Sequence, residues 1–276
     1  MSEQIDTGTE QLLGRVEDGV AVLTINRPEA RNAMTGEWMG ALRRLVPALG
    51  IDPQVGCVVL TGAGRAFCAG GDVKGMAGRG GGDRSGPVLG LEERIRALRA
   101  DQAAVTGAIY ELGKPVIAAI PGPAAGAGLS LALSCDMRFM AESAFITTAF
   151  RNVGFSGDYG GSWFLTKLVG TAKARELYYL SDRVEAKECE RLGIANRVVP
   201  DAALEAETLK VAKHIAAGPT IAQGYMKENL NRAVEHGLRV CLDMEADRML
   251  RSGLTEDHRE AVKAFVEKRT PTFKGR

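Results

Sequence analysis

Between Lys114 and Asp136 lie 21 consecutive uncharged residues, PVIAAIPGPAAGAGLSLALSC. A run of that length is nominally enough for one bilayer-spanning helix. Its prolines forbid it. Pro115, Pro121 and Pro123 remove backbone donors and fix φ, so the run divides into a short apolar strand over 116–120, a turn, and a short helix over 126–134. A strand–turn–helix with no charge on any face belongs at the buried centre of a soluble domain, and the rest of the chain must be arranged around it.

The flanking sequence supplies the surroundings. The stretch 20–26 (VAVLTIN) is β-rich and stops at Arg27-Pro28. Thr35 opens an amphipathic helix with Trp38, Leu42, Leu45 and Leu49 on one stripe. A short buried strand at 58–60 closes at Thr61-Gly62, and 137–140 reads as another strand. Residues 91–112 read as one long helix. The segment 77–87 (AGRGGGDRSGP) holds nothing that can pack and is expected to be mobile. From Gly160 onward helices dominate, with a strand at 197–200. The last three helices are expected over 202–217, 219–250 (broken near His236-Gly237) and 255–269. Thr255 can cap the final one, Glu256 and Asp257 suit its positive end, and Lys268 and Arg269 its negative end. At roughly 150 residues per domain, 276 residues make one large domain or one with an appendage. Alternating strands and helices followed by helices alone predict an α/β core over 1–200 and a helical C-terminal region over 201–276.

Several function classes drop out. Lys+Arg is 35 against Asp+Glu 34, a net charge of +1, so no basic field exists to hold a nucleic-acid backbone or an anionic membrane. The five cysteines, Cys57, Cys68, Cys135, Cys189 and Cys241, form no CxxC pair or ligand cluster, which fits reduced thiols in a cytoplasm. The opening MSEQIDTGTE reads as neither signal nor transit peptide. No Walker-type loop is present, and the GxG at Gly62 meets Phe67 where a dinucleotide fingerprint needs glycine. His214, His236 and His258 all lie in the helical part, and no pattern supplies a metal site.

Glycine accounts for 34 of the 276 residues, well above the usual ~7%. Two glycine-rich segments each follow an expected strand: Ala66-Phe67-Cys68-Ala69-Gly70-Gly71-Asp72-Val73, and Gly122-Pro123-Ala124-Ala125-Gly126-Ala127-Gly128-Leu129-Ser130. Small residues let a ligand approach the main chain, and free amides at a helix start attract negative charge. On spacing alone two readings stay open: tight turns required by packing, or two loops facing each other as a two-donor oxyanion hole.

AFCAGGDV followed about fifty residues later by GPAAGAGLSLALSCD resembles the crotonase superfamily, the enoyl-CoA hydratase/isomerase family. INRPEARNAM before these segments, NVGFSGDYGGSWFLTKLVG after them and the tail EDHREAVKAFVEKRTPTFKGR fit in the same order. The resemblance implies a spiral of ββα units, a helical C-terminal trimerisation region, and a homotrimer or hexamer. It implies an acyl-CoA thioester substrate, with coenzyme A part of the substrate and no separate cofactor or metal. The two oxyanion amides would be those of Gly71 and Ala127, and coenzyme A would pass Arg31 and the loop Ala69, Gly70, Gly71, Asp72, Val73. Removing a proton α to a thioester places charge on its oxygen, where one preformed donor is typically worth about 3–4 kcal/mol.

The departures from the family pattern decide which chemistry is expected. The resemblance places two water-splitting glutamates of hydratases where this chain has Ser130 and Phe150. The carboxylate left nearby is Asp158, which resembles the acid/base of double-bond isomerases and of the epoxyphenylacetyl-CoA isomerase that also lacks both glutamates. One carboxylate suits isomerisation, since a proton taken from one carbon can be returned at another. The same residue, before Tyr159-Gly160-Gly161, also reads as a helix cap. Phe150, Tyr159 and Trp163 read either as acyl-pocket lining or as plain core aromatics, and Lys74 as a phosphate contact or a solvated lysine. Gly128-Leu129-Ser130 imitates a nucleophile elbow, but a hydrolase would need a histidine from the tail. The alternatives to an isomerase-type enzyme are a hydratase and a non-catalytic acyl-CoA-binding trimer.

Overall fold

The computed structural model describes residues 2–71 and 90–276. Asp72, Val73, Lys74 and the segment 77–87 lie outside the described residues. Strands β1 (Ser2–Ile5), β2 (Leu12–Glu17) and β3 (Val20–Ile25) form an antiparallel meander. Helix α1 (Gly36–Ile51) follows, and Thr35 caps it by accepting from the Trp38 amide at 3.4 Å. Trp38, Leu42, Leu45 and Leu49 are all buried, so the stripe read from the sequence is the packed face.

Strand β4 (Cys57–Gly62) adds parallel to β3. The expected helix over 91–112 is α2 (Leu91–Gln102), a π-helical turn (Ala103–Gly107) and α3 (Ala108–Glu111) in one run. The uncharged stretch resolves as the prolines dictate, into β5 (Val116–Ile120), the two-residue β6 (Ala124–Ala125) and α4 (Ala127–Leu133). All residues of β5 and α4 are buried, which is where a segment without charge must go. Then come β7 (Met137–Ala141), β8 (Phe145–Thr147), α5 (Gly161–Leu180), β9 (Val184–Glu185), α6 (Ala186–Arg191) and β10 (Arg197–Val199).

The larger sheet has the order β1-β2-β3-β4-β5-β7-β10, parallel from β3 onward. A second, narrower layer takes one short piece from each turn of the chain. Met34 bridges Gly71, Cys68 bridges Ala124, β6 pairs with β8, and β8 pairs with β9. Each turn therefore lays one strand in the large sheet, one short strand in the small layer, and usually a helix outside. This is the ββα spiral that the resemblance implies. Both glycine-rich segments leave strand ends on the same side of the sheet and enter the small layer.

Helix α5 is two helical halves joined at Gly170, whose φ 74° and ψ 167° no helix accommodates. Four helices close the chain: α7 (Leu204–Ala216), α8 (Thr220–Ala233), α9 (Leu238–Gly253) and α10 (Glu256–Glu267). The expected break at His236-Gly237 separates α8 from α9. Helix α7 lies just past the boundary expected at residue 200 and packs on the sheet. Leu204, Thr208 and Ala212 of α7 are buried and the helix packs across β3, β4, β5 and β7. It belongs to the core, and the projecting helical region begins after Gly218. Lys227 of α8 anchors that region. Its ammonium donates to the carbonyls of Ile109 and Lys114 and pairs with Asp136 at 2.8 Å.

Candidate active site

The first glycine-rich segment is held from three sides. The Met34 amide donates to the Gly70 carbonyl at 2.8 Å, the Ala69 amide to the Arg31 carbonyl at 3.0 Å, and the Ala125 amide to the Cys68 carbonyl at 3.0 Å. Gly70 has φ +84°, and a Cβ there would stand 2.7 Å from the Ala125 oxygen and 3.4 Å from the Ala127 nitrogen. A Cβ on Gly128 would collide with the Cys68 carbonyl. The two loops thus lie backbone against backbone, and only glycine permits it. Among the described residues, nothing accepts a hydrogen bond from the amide of Gly71 or of Ala127. Ala127 is the first residue of α4, where the helix leaves amides unpaired and concentrates positive partial charge. Two free amides on adjoining loops are the kind of donors that an oxyanion hole uses.

Asn32 fixes the approach of the first loop, a role that the sequence reading missed. Fully buried and at φ +58°, it donates to the carbonyls of Ala63 at 3.0 Å and Ala66 at 2.7 Å and accepts from the Arg27 amide at 2.8 Å. Its signal was the Asn that follows the Arg27-Pro28 strand stop, a residue tolerant of the left-handed region. Arg31 sits next to it, exposed, with its carbonyl on the Ala69 amide.

Asp158 stands on the loop before α5. It does not cap that helix: Gly160 is the N-cap, and it is the Asp158 carbonyl that accepts from the Gly161 amide at 3.1 Å. Its carboxyl oxygen Oδ1 is sealed from solvent and, among the described residues, has no hydrogen-bond partner. Burial pushes the carboxyl up from 3.8 to about 6, because a charge removed from water without a partner is costly. The peptide beside it is gripped on both faces. Ser130 donates to the Asp158 carbonyl at 3.0 Å, and the Tyr159 amide donates to Gln102 Oε1 at 2.7 Å. Gln102 lies where α2 meets the π-helical turn, a local distortion often found beside functional sites.

Ser130 is 1% exposed. Its hydroxyl is committed to the Asp158 carbonyl, so it joins α4 to the aspartate loop. Trp163 joins a different aromatic group, edge-on to Tyr110 at 5.4 Å and to Phe164 at 5.1 Å with Lys167 over its ring. Phe150 lies by the site, its ring edge 3.7 Å from the Cβ position of Gly126, the residue before Ala127. It stacks on Tyr178, centroids 6.0 Å apart. Tyr159, at φ +50°, turns its ring into the core. Burial pushes the thiols of Cys57, Cys68, Cys135 and Cys189 up to about 12, so they are inert as nucleophiles.

The family described as enoyl-CoA hydratase/isomerase matches residues 15–276. The chain belongs to the enoyl-CoA hydratase/isomerase family. It is 36% identical over 267 residues to the 1,2-epoxyphenylacetyl-CoA isomerase of Escherichia coli, covering 97% of this chain and 99% of that one. It is 37% identical over 265 residues to a probable enoyl-CoA hydratase of Rhodobacter capsulatus, covering 95% and 96%. The crystal structure of a putative enoyl-CoA hydratase/isomerase from Mycobacterium abscessus superposes with a TM-score of 0.87 at 33% identity, over 96% of this chain and all of that one. The fold is therefore the crotonase fold, and the protein is an acyl-CoA enzyme of the hydratase/isomerase family. Among the described residues no helix is long and apolar enough to cross a membrane.

Proposed function

We propose that the chain is an isomerase-type enzyme acting on unsaturated acyl-CoA thioesters, with Asp158 as its single proton shuttle. The observation that carries this reading is the half-buried Asp158 carboxyl, unpartnered among the described residues; Ser130 and Phe150, at the positions where the resemblance implies the glutamates of hydratases, support it. The thioester oxygen accepts from the amides of Gly71 and Ala127. Coenzyme A, which enters as part of the substrate, runs past Arg31 and the 69–73 loop. Ionised Asp158 takes a proton from an acyl carbon. The electron pair left behind delocalises onto the thioester oxygen, where the two amides stabilise it without reorganising. The acid so formed returns the proton to a different carbon, and the double bond has moved. A carboxyl held near pH 6 suits both halves of the exchange.

Exposed apolar side chains on the closing helices support assembly as a homotrimer or hexamer: Leu238, Leu242 and Met249 on α9, Val262, Phe265 and Val266 on α10. The cysteine content supports a reducing cytoplasmic setting.

The deciding experiment incubates an enoyl-CoA with the enzyme in deuterated water and follows it by NMR. Deuterium at acyl carbons with a shifted double bond is expected. A 3-hydroxyacyl-CoA as the main product means hydration instead, and neither exchange nor product means a binder.

A further inference from the structure

The Asp158 side chain makes no hydrogen bond to any described residue. What aims its carboxyl is therefore the backbone from which it hangs. Around it Gly157, Tyr159 and Gly160 have φ values of 115°, 50° and 76°. Tyrosine carries a Cβ, so it stays in the left-handed region only where its surroundings hold it there. The peptide that joins Asp158 to Tyr159 shows what does so. Its carbonyl accepts from the Ser130 hydroxyl at 3.0 Å and from the Gly161 amide at 3.1 Å. Its N–H donates to Gln102 Oε1 at 2.7 Å.

The two ends of this peptide are not equally secured. The carbonyl has two donors, so without Ser130 it would keep the bond from Gly161. The Tyr159 amide has one acceptor among the described residues, and that acceptor comes from 57 residues away. Without Gln102 the amide is orphaned in a half-buried place, which a backbone donor resists. Gln102 is itself held. It ends α2 where the π-helical turn begins, and its carbonyl accepts from the Thr106 hydroxyl at 3.1 Å. Its neighbour Asp101 pairs with Arg43 of α1 at 2.8 Å. The helix leaves its regular path just where this side chain reaches the turn.

We infer that Gln102 is a positioning residue: by taking the Tyr159 amide it holds that residue in the left-handed region and so sets where the Asp158 carboxyl stands. This rests on the reading of Asp158 as the proton shuttle. Misplacing a reacting group by about 1 Å can cost on the order of 10²-fold in rate. The phenols nearest the carboxyl, Tyr159 and Tyr178, are pushed up to about 12 by burial and stay neutral. The Arg43–Asp101 pair lies on the Tyr159 side. The titration of Asp158 therefore reports chiefly on how far the turn keeps it from water.

The test measures kcat and KM for an enoyl-CoA as functions of pH in three proteins. These are wild type, Gln102→Met, which keeps the length but has no acceptor oxygen, and Gln102→Glu, which keeps one at the same reach. Gln102→Met is expected to lower kcat about 10–100-fold and to change KM less than about threefold, since the Gly71 and Ala127 amides do not depend on it. The pH at which kcat rises should move down from about 6 toward the ordinary ~4 of a solvated carboxyl. Gln102→Glu should restore kcat to within about fivefold of wild type at high pH and move the rise upward, because a second carboxylate beside Asp158 disfavours its charge. An unchanged kcat in Gln102→Met overturns the inference. So do equal losses in both variants with the rise unmoved, the mark of a merely structural role. Asp158→Asn separates this inference from the shuttle: kcat lost there but kept in Gln102→Met rejects the positioning role alone, whereas kcat kept in Asp158→Asn rejects both.

Discussion

Asp158→Asn separates a proton-handling carboxyl from a structural one through the pH dependence of stability. The native carboxyl sits near 6 against 3.8 in the unfolded chain. Below pH ~4 both states are protonated and the group is neutral to folding. Between about 4 and 6 the native state keeps a proton that the unfolded state has released. Native stability therefore falls as pH rises through 6, and above that the ionised carboxyl opposes folding. Taken at face value the shift is worth about 3 kcal/mol. Partial exposure of the side chain reduces that to roughly 1–2 kcal/mol. Asparagine is neutral throughout, so the variant should match wild type, apart from a constant offset, at pH 4, and gain that amount by pH 8. In a chain of this size the gain corresponds to about 2–5 °C in melting temperature. Turnover should fall roughly 10²–10⁴-fold in the same protein. Wild-type turnover should itself rise with pH through about 6, as the base ionises. Melting curves at several pH values, with rates at the same pH values, read all of this. A variant that loses stability equally at pH 4 and pH 8 would restore a structural role for Asp158, and one that keeps its rate would end the shuttle.

Ala127→Pro removes one proposed oxyanion donor at the first position of α4, where a helix tolerates proline. We expect kcat to fall about 10²–10³-fold with the fold intact by circular dichroism; an unchanged rate would take this amide out of the hole. Lys227→Met leaves the largely buried Asp136 unpaired beside the Val116 amide. It should cost about 3 kcal/mol in urea unfolding, and a negligible loss would show that α8 does not depend on this anchor. Light scattering at micromolar concentration should give three or six times the 29.4 kDa chain mass, and a monomer would leave the exposed faces of α9 and α10 unexplained.

The sequence by itself determined the elements. Three prolines in an uncharged stretch forced strand, turn and buried helix; the Trp38–Leu49 stripe forced α1; Thr255 and Gly237 marked helix ends. These are local effects of φ restriction, capping and periodicity, and they act within a few residues. The paired glycine segments were equally legible as places of close approach, and their meeting was one of two readings that spacing left open. Tertiary structure alone decided what each side chain does there. Ser130 and Asp158 are 28 residues apart, and no pattern in either segment announces that the serine holds the aspartate's carbonyl. Trp163 sits next to the Asp158 loop in sequence yet packs with Tyr110, because helical rotation turns it away. Tyr178, beyond the break in α5 at Gly170, stacks on Phe150 from 28 residues further along the chain. The place of α7 was hidden for the same reason: it looks like the helices after it, and what makes it core is the sheet that it covers. Periodicity tells which face of an element is apolar; which surface meets that face is fixed by the whole chain packing at once.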